Sequence, residues 1–544
     1  MNRRKFLRNG SLTGIGITTI GVASLQAAGS NQARKNYPEV VDPANEYPLL
    51  ELEEISVTEL QKKMQSGEQT SVSITKAYIK RIEEIDRSGP NLNSIIELNP
   101  EAIQIAQNLD IERKQGKLRG PLHGIPILVK DNISTGDPMM TTAGSLALMG
   151  NRAKEDAFLI KQLRKAGVIL LGKTNLSEWA NFRSAHSCSG WSSRGGQTKC
   201  PYILDRNPSG SSAGSGSAAA ASLSALCVGS ETDGSIVSPS SVNALVGMKP
   251  TVGLWSRTGI IPISATQDTA GPMGRSVQDV AILLGAGIGS DENDPVTKTS
   301  AGKSLNDYTA WLSKDGLRGK RIGIEKSHLD GNPDLVALLR GAMKSMEEQG
   351  ATMVEVDVAG PLKLLGNAEY LVLLYEFKDE LNRYLATANG HVKSLKELIA
   401  FNLQNEKNMM PFFKQEILVE SEGKGGLDNK EYTDALGKTL GFRKTLLDLM
   451  AANKLDALSG ITNGPACCID LANGDYDNGP SLSTPAAITG FPHITIPMGL
   501  FHGLPIGLSF YGEPYTEPKL IALAYSYEQA TMKRMKPAFL KELI

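Results

Sequence analysis

The sequence contains few cysteines, and their arrangement does not suggest a disulfide framework. The five are Cys188, Cys200, Cys227, Cys467 and Cys468 in a chain of 544 residues, and their spacing matches no zinc site either. An odd number leaves at least one thiol free or paired between chains. We expect Cys227 to lie in an apolar helix of the core, and a redox role for the adjacent Cys467 and Cys468 is the less favoured interpretation.

An excess of charge of one sign is also missing. The formal net charge is −1, and hydrophobic and charged residues make up 41% and 21% of the chain, as in an ordinary globular protein. Beyond the first few residues, no cluster of lysine and arginine is large enough to neutralise several phosphates, so we expect no nucleic-acid partner. The length allows two domains or one large α/β domain.

The first 28 residues differ in kind from the rest of the chain. The basic segment 2–8, NRRKFLR, precedes a weakly apolar segment, 14–25, that ends in Gln-Ala-Ala. A basic region, a short apolar region and small residues are typical of an export signal, and the paired Arg3 and Arg4 resemble a twin-arginine signal. We therefore predict that residues 1–28 direct the chain to the export machinery and that the mature protein is periplasmic or secreted.

Helical and strand patterns alternate along the remaining chain. Apolar runs such as 125–129, 168–171 and 321–324 have the length and composition of buried strands, and amphipathic helical patterns lie between them. The alternation predicts one α/β domain over residues 29–544, with a mixed sheet covered by helices on both faces. Long helical patterns between about 360 and 450 predict a helical cap over the functional site.

Serine, glycine and alanine are concentrated between Asn207 and Ser241 more densely than a flexible loop requires. We predict two small-residue turns, 208–215 and 229–235, on either side of an apolar helix from 218 to 228. Each turn carries a serine and offers backbone N–H groups without large side chains, which is what a site that stabilises an oxyanion requires. A glycine-serine linker would lack both the helix and the acidic residues that precede Ser235.

A lysine follows one of the predicted buried strands. Lys130 and Asp131 come directly after the apolar run 125–129, at the end of the predicted strand. Burial of a charged lysine costs free energy unless an opposite charge is paired with it. Two interpretations stay open at this point. Lys130 either forms a salt bridge with Asp131 or another acid, or it is a desolvated lysine that accepts a proton.

Two motif matches fail because of their context. Residues 167–174 fit the phosphate-binding pattern G-x-x-x-x-G-K-[ST], but 168–171 are strand-like where that motif needs an open loop. Residues 210–214 fit G-x-S-x-G, with Ser212 as nucleophile, but the preceding residues are polar and broken by a proline where a buried strand is required. Among the late histidines only His493 has plausible surroundings for a Ser-His-Asp hydrolase, which we do not favour.

Three separated motifs resemble those of the amidase signature family. In chain order they are Gly124-Ile-Pro-x-x-Val-Lys130-Asp-Asn, Gly210-Ser-Ser-x-Gly-Ser215, and Gly229-Ser-Glu-Thr-Asp-Gly-Ser235-Ile followed by Gly247-Met-Lys-Pro-Thr251. The spacing between Ser211 and Ser235 also matches the family pattern. The resemblance extends over nearly the whole chain after the predicted export signal.

The resemblance implies a role for each of these polar residues. A serine hydroxyl is a weak nucleophile until a base removes its proton, and a lysine kept neutral by burial can be that base. Ser235 would be the nucleophile, Ser211 the bridging serine and Lys130 the base, and the Gly210–Ser211 peptide bond would be cis. The oxyanion hole would be formed by the backbone N–H groups of Thr232, Asp233, Gly234 and Ser235.

The implied reaction is hydrolysis of a carboxamide through an acyl-enzyme. Ser235 attacks the carbonyl carbon, ammonia or an amine leaves with a proton delivered through Ser211, and water releases the acid. The implied chemistry needs no metal and no cofactor.

The sequence departs from the usual family pattern in a way that bears on the substrate. Where the family usually has Gly-Gly-Ser-Ile-Arg, this chain has Asp233-Gly-Ser-Ile-Val237. Thr-Asp-Gly-Ser-Ile resembles instead the bacterial peptide amidases, as do Tyr375-Glu-Phe-Lys378 and Gln267-Asp-Thr-Ala-Gly-Pro272. These features favour C-terminally amidated peptides, with the choice of substrate made in the helical cap.

Three alternatives stay open. The chain could hydrolyse another small or acyl amide in the manner of a fatty-acid amide hydrolase, or it could be a non-catalytic periplasmic binding protein. The amidotransferase A subunit of glutaminyl-tRNA synthesis shares the motifs, but a cytosolic tRNA complex does not fit an export signal.

Overall fold

A mixed sheet of eleven strands runs through residues 51–543, the part of the chain that the computed structural model describes. All of these residues belong to one compact unit. The predicted export signal, 1–28, and the start of the predicted domain, 29–50, lie outside the described residues. Within 51–543, no helix is both long enough and apolar enough to cross a membrane.

The sheet combines two parallel groups of strands with antiparallel neighbours. Its strands are β1 (Ile95–Leu98), β2 (Pro126–Lys130), β3 (Ile169–Thr174), β6 (Leu226–Glu231), β7 (Val246–Lys249), β8 (Thr269–Gly274), β9 (Arg321–Glu325), β10 (Thr352–Val356), β11 (Ala457–Ile461), β12 (His493–Phe501) and β13 (Leu504–Tyr511). Their order is β1-β3-β2-β6-β8-β7-β12-β13-β11-β9-β10. The strands β3, β2 and β6 are parallel, as are β11, β9 and β10. The predicted mixed sheet is confirmed, and a short hairpin of β4 (Trp191–Ser192) and β5 (Gly196–Gln197) lies apart from it.

Helices cover both faces of the sheet. They are α1 (Val57–Ser66), α2 (Ser71–Arg81), α3 (Ala102–Lys114), α4 (Phe158–Lys165), α5 (Ala213–Ala220), α6 (Val237–Ser241), α7 (Val277–Ala286), α8 (Pro333–Glu348), α9 (Ala359–Lys363), α10 (Ala368–Thr387), α11 (Leu395–Gln404), α12 (Glu406–Met409), α13 (Glu416–Glu422), α14 (Lys430–Asn453), α15 (Ser483–Thr489) and α16 (Glu517–Thr531). The capping box at Ser56 opens α1, and Gly67 in the left-handed conformation ends it.

The helix predicted at 218–228 is wrong in its position. The helix α5 ends at Ala220, and the apolar residues that follow it form β6, which pairs with β2 on one side and β8 on the other. Cys227 therefore lies in a buried strand and not in a helix. A short apolar run does not distinguish the two structures, and the neighbouring strands decide between them.

The sequence of residues 483–497 favours short apolar strands, and this prediction is wrong for their first half. Residues 483–489 form α15, which ends at Gly490 with a φ of 68°, and only the residues from His493 onward form a strand. Glycine at that position adopts the left-handed conformation that terminates a helix. The proline at 485 is tolerated because it lies in the first turn, where no backbone N–H bond is lost.

The helices between 359 and 453 gather over one region of the sheet edge. The long helix α10 buries Leu374, Phe377, Leu381 and Leu385 in a cluster with Trp179 and Phe182. Aromatic packing strengthens this contact, because the rings of Phe182 and Phe377 meet edge to face with their centroids 5.0 Å apart. We call the helices α10 to α14 the cap.

Candidate active site

The polar motifs meet where two parallel strands end. Lys130 is the last residue of β2, and β6 lies beside β2 and ends at Glu231, four residues before Ser235. The carboxyl ends of parallel strands lie at one edge of a sheet, which is the usual place for a site in an α/β protein. The chain before α5 brings Ser211 to the same edge.

Lys130 is buried and forms no ion pair with any of residues 51–543. Its Nζ atom lies 2.8 Å from Ser211 Oγ, 3.1 Å from the carbonyl oxygen of Ser230 and 3.0 Å from Ser230 Oγ. The neighbouring Asp131 instead forms an ion pair with Arg194, at 3.4 Å. Of the two interpretations of this lysine, the salt bridge to Asp131 is therefore wrong.

Burial makes Lys130 an unusually weak base for a lysine. Removal from water lowers its pKa to about 7, against the opposing charges of Asp268 and Glu231. A large fraction of the side chain is therefore neutral at neutral pH. A neutral amine 2.8 Å from a serine hydroxyl can accept the proton of that hydroxyl.

Ser211 is held by its backbone and through its neighbour. The Gly210–Ser211 peptide bond is cis, and the carbonyl oxygen of Ser211 accepts a hydrogen bond from the N–H of Ser177 at 3.1 Å. A side chain at 210 would clash, because a Cβ atom there would lie 2.3 Å from Ser177 Oγ. The N–H of Ser212 donates to the carbonyl oxygen of Ser235 at 3.2 Å, so the two serine motifs are joined directly.

Residues 231–237, which we call the serine turn, are closed by a carboxylate. The Oε2 atom of Glu231 accepts hydrogen bonds from the N–H groups of Ile236, at 2.7 Å, and Val237, at 3.0 Å. Gly234 has a φ of 80°, a conformation that favours glycine, and a Cβ atom at this position would lie 3.0 Å from Ser483 Oγ. The role of Glu231 was not predicted from the sequence.

The serine turn leaves donors free beside Ser235. The backbone N–H groups of Thr232, Asp233, Gly234 and Ser235 donate to no group within the described residues, and the Ser235 hydroxyl forms no hydrogen bond with residues 51–543. Ser235 itself is 8% exposed. Unpaired N–H groups next to a reachable hydroxyl have the form of an oxyanion hole.

A pair of carboxyl groups adjoins the serine turn. Asp233 accepts a hydrogen bond from Thr484 Oγ1 at 2.7 Å, and its carboxyl group is hydrogen-bonded to that of Glu369, the second residue of α10. Burial, followed by the charge of Asp233, raises the pKa of Glu369 well above its usual value. Two adjacent carboxylates repel each other when both are charged, which favours a proton shared between Asp233 and Glu369.

A cavity of about 570 Å³ opens beside the serine turn. Asn132 and residues 230–232 form one of its walls, residues 257–265 form another, and the last turns of α10 close it with Glu380, Arg383 and Tyr384. The cavity therefore lies between the sheet edge and the cap and reaches the serine turn at Thr232, whereas Ser235 itself is not among its lining residues.

The alternative built on Ser212 and His493 does not assemble. The Ser212 hydroxyl donates to the carbonyl oxygen of Ser230 at 3.1 Å, whereas His493 Nε2 lies 2.6 Å from Ser509 Oγ. Burial and the charge of Lys249 lower the pKa of His493 to about 3. The phosphate-binding motif does not form a loop either, because its lysine, Lys173, lies inside β3. The Nζ atom of Lys173 donates a hydrogen bond to the carbonyl oxygen of Ile133 at 2.5 Å.

The cysteines and potential metal ligands lie apart from this arrangement. All five cysteines are free, and Cys468 contacts the guanidinium of Arg206. Within residues 51–543, no group of three or more histidine, cysteine or acidic side chains is arranged to hold a metal ion. The contacts of Cys467 and Cys468 give no sign of redox chemistry.

Comparison with known proteins identifies the family. A family model described as Amidase matches residues 73–521. A probable amidase of Arabidopsis thaliana is 39% identical over 505 residues, which cover 90% of this chain and 92% of that protein. The A subunit of glutamyl-tRNA(Gln) amidotransferase of Thermoanaerobacter pseudethanolicus is 32% identical over 502 residues, covering 90% of this chain and 99% of that protein.

A solved structure agrees with these relatives. The X-ray structure of native peptide amidase from Stenotrophomonas maltophilia matches this fold with a TM-score of 0.87 and 47% sequence identity, covering 90% of this chain and 100% of that chain. The chain belongs to the amidase signature family, as its motifs predict. It is an amidase, so the alternative of a non-catalytic binding protein is dropped.

Proposed function

We propose that this amidase releases ammonia from C-terminally amidated peptides, with Ser235 as nucleophile, Ser211 as bridging serine and Lys130 as base. The observation that carries the mechanism is the fully buried Lys130, whose Nζ lies 2.8 Å from Ser211 Oγ without an ion pair. A charged lysine would be poorly stabilised there, whereas a neutral one can accept a proton.

The reaction begins with two proton transfers. Neutral Lys130 takes the proton of the Ser211 hydroxyl, Ser211 takes that of Ser235, and the Ser235 oxygen attacks the carboxamide carbon. The Ser235 hydroxyl makes no hydrogen bond with residues 51–543, so it must turn toward Ser211 for this step. Its free rotation about χ1 allows that movement.

The remaining steps return each proton to its place. The N–H groups of Thr232, Asp233, Gly234 and Ser235 stabilise the oxyanion of the tetrahedral intermediate. When the carbon-nitrogen bond breaks, the proton on Lys130 passes through Ser211 to the leaving nitrogen, and ammonia departs. Water then attacks the acyl-enzyme with the same relay as base, which restores the Ser235 hydroxyl and releases a carboxylic acid.

The peptide substrate is supported by three observations. The peptide amidase of Stenotrophomonas maltophilia is 47% identical to this chain, and the cavity of about 570 Å³ beside the serine turn has room for a short peptide. The segments that resemble peptide amidases also contribute to this region, since Gln267 and Asp268 contact Thr232 and Glu376 lies in the cap helix α10.

Ammonia release from three amides tests the substrate. Purified protein is given a C-terminally amidated dipeptide, a simple aliphatic amide and a long-chain acyl amide. We expect the dipeptide amide to give the largest kcat/KM, by at least about tenfold, because its peptide groups can hydrogen-bond to the polar residues of the cavity, which an aliphatic chain cannot do. Preference for the long-chain amide would contradict the peptide assignment and favour the alternative of an acyl amide hydrolase.

We also propose that residues 1–28 export the enzyme, on the basis of their sequence alone. Replacing both Arg3 and Arg4 with lysine should leave the protein in the cytoplasm of a bacterial host that has a twin-arginine pathway, because that signal is read by a receptor. Cell fractionation measures the outcome. Export of the double variant at the rate of the unaltered chain would contradict the proposal.

A further inference from the structure

A buried carboxylate joins the cap to the edge of the active site. Glu376, in the middle of α10, is 1% exposed. Its Oε2 atom accepts hydrogen bonds from the Ser264 hydroxyl and from the N–H and hydroxyl of Thr266, the latter two at 3.1 and 3.0 Å. Its Oε1 atom accepts a hydrogen bond from the Tyr432 hydroxyl at 2.8 Å. Four donors from a loop and a second cap helix therefore converge on one side chain.

The loop that contacts Glu376 also contacts the serine turn. One carboxylate oxygen of Asp268 accepts a hydrogen bond from the Thr232 hydroxyl at 2.6 Å. The other oxygen accepts hydrogen bonds from the N–H groups of Ile263, at 2.7 Å, and Ser264, at 2.9 Å. Residues 263–268 are thus fastened at one end to Glu376 and at the other to Thr232. We call these residues the bridging loop.

Gln267 of the bridging loop forms a second connection between the cap helix α10 and the serine turn. Gln267 Nε2 donates to Glu369 Oε1 at 2.9 Å and to the carbonyl oxygen of Thr232 at 3.4 Å. Its N–H donates to Ser264 Oγ, the hydroxyl that is itself bound to Glu376. The position of the serine turn is therefore tied to α10 by side chains with defined hydrogen-bonding directions and not only by apolar packing.

We propose that Glu376 is a positioning residue for the oxyanion hole. It fixes the bridging loop, which holds Thr232 and with it the free N–H groups of residues 233–235. This inference rests on the proposed function, since it assigns the serine turn its role in catalysis. Glu376 is buried and both of its carboxylate oxygens are occupied by protein donors, so it acts through the bridging loop and does not touch the substrate.

The expected effect is on turnover more than on binding. Oxyanion donors act mainly in the transition state, and a displacement of about 1 Å in a positioned group can cost on the order of 100-fold in rate. Replacing Glu376 with leucine removes all four acceptor contacts at similar volume. We expect Glu376→Leu to lower kcat about 30-fold to 100-fold while KM changes less than about threefold.

The conservative variant separates geometry from charge. In Glu376→Gln the amide oxygen can face the Ser264 and Thr266 donors, and the amide nitrogen can donate to the Tyr432 hydroxyl, which can accept. We expect this variant to keep kcat within about threefold of the unaltered enzyme. A loss equal to that of Glu376→Leu would show that the carboxylate charge matters, and would overturn the positioning role.

A neighbouring substitution controls for damage to the cap. Phe377, the next residue of α10, is fully buried in an apolar cluster that also contains Ile263, but its side chain has no donor or acceptor with which to bond the polar groups of the bridging loop. We expect Phe377→Leu to lower the melting temperature but to leave kcat within about threefold. If Phe377→Leu reduced kcat as much as Glu376→Leu, the effect would be loss of cap packing, and the inference would fail.

A double-mutant cycle tests the path through the bridging loop. Thr232→Val breaks the hydrogen bond at the other end of the loop, so Glu376→Leu and Thr232→Val together should cost little more in kcat than the worse single variant. If the kcat losses of the two single variants multiplied in the double variant, the path through the bridging loop would be contradicted.

If Glu376→Leu does not fold, Thr266→Val removes one of the Glu376 donors and takes its place in the same cycle. The substrate in these assays is whichever amide the enzyme turns over fastest, so the test stays valid even if the peptide assignment is wrong. Retained activity in Ser235→Ala would instead show that the proposed function has failed.

Discussion

Ser235→Ala should abolish amide hydrolysis almost completely. Removing the nucleophile of a hydrolase that works through an acyl-enzyme costs on the order of 10^4-fold to 10^6-fold in kcat, and what remains comes from the oxyanion hole and from binding. Because the Ser235 hydroxyl makes no hydrogen bond within residues 51–543, its loss should leave the melting temperature within about 2 °C. Ammonia release by the purified variant measures the effect.

A nearby serine provides the matched control. The Ser240 hydroxyl is buried in α6, close in sequence to Ser235, and has no hydrogen-bond partner in the part of the chain that the structure describes. Ser240→Ala should therefore keep kcat within about threefold. Retention of activity in Ser235→Ala, or an equal loss in Ser240→Ala, would refute the assignment of the nucleophile.

Lys130→Met should lower kcat/KM by about 10^3-fold or more, because it removes the only base of the relay. In the unaltered enzyme the base must be neutral, and its pKa is about 7. Below pH 7 Lys130 gains a proton and activity falls, about tenfold for each pH unit, whereas above pH 7 activity approaches a plateau. We expect kcat/KM measured from pH 5 to 9 to follow this rise, and the remaining activity of Lys130→Met to lack it.

Lys173 is the matched control for the loss of a buried lysine. It is fully buried in β3, and burial lowers its pKa to about 8, but its Nζ bonds to the carbonyl oxygen of Ile133 and to Thr141 outside the relay. Lys173→Met should reduce the melting temperature and leave the activity of the folded fraction largely unchanged. An unaltered enzyme most active at acid pH, or an equal loss of activity in Lys173→Met, would count against Lys130 as base.

The residues nearest to the proposed chemistry could be predicted because their signals are local. Lys130 comes directly after a short apolar run that begins beyond Gly124 and favours a buried strand, and Ser211 and Ser235 lie in small-residue motifs that resemble those of the amidase signature family. The structure brings Lys130 and Ser211 into contact at the edge where β2 and β6 end. The sequence alone did not decide between a salt bridge and a neutral lysine, since that depends on where Asp131 points.

The supporting residues could not be predicted because their partners are distant in the chain. Glu376 binds Ser264 and Thr266, more than 100 residues away, and a glutamate in an amphipathic helix gives no sign of such a contact. The strands β8 and β11 were missed for a related reason. Their short, glycine-containing runs become strands only through pairing with β6, β7, β9 and β13.

Covalent labelling of Ser235 tests the central claim most directly. The enzyme is treated with a fluorophosphonate, which reacts with serine hydroxyls activated by a base, and the modified residue is located by mass spectrometry of proteolytic fragments. We predict one label, on Ser235, acquired in proportion to the loss of activity and prevented by a C-terminally amidated peptide. Labelling of another serine with loss of activity, full activity in the fully labelled enzyme, or no label on Ser235 would contradict the account.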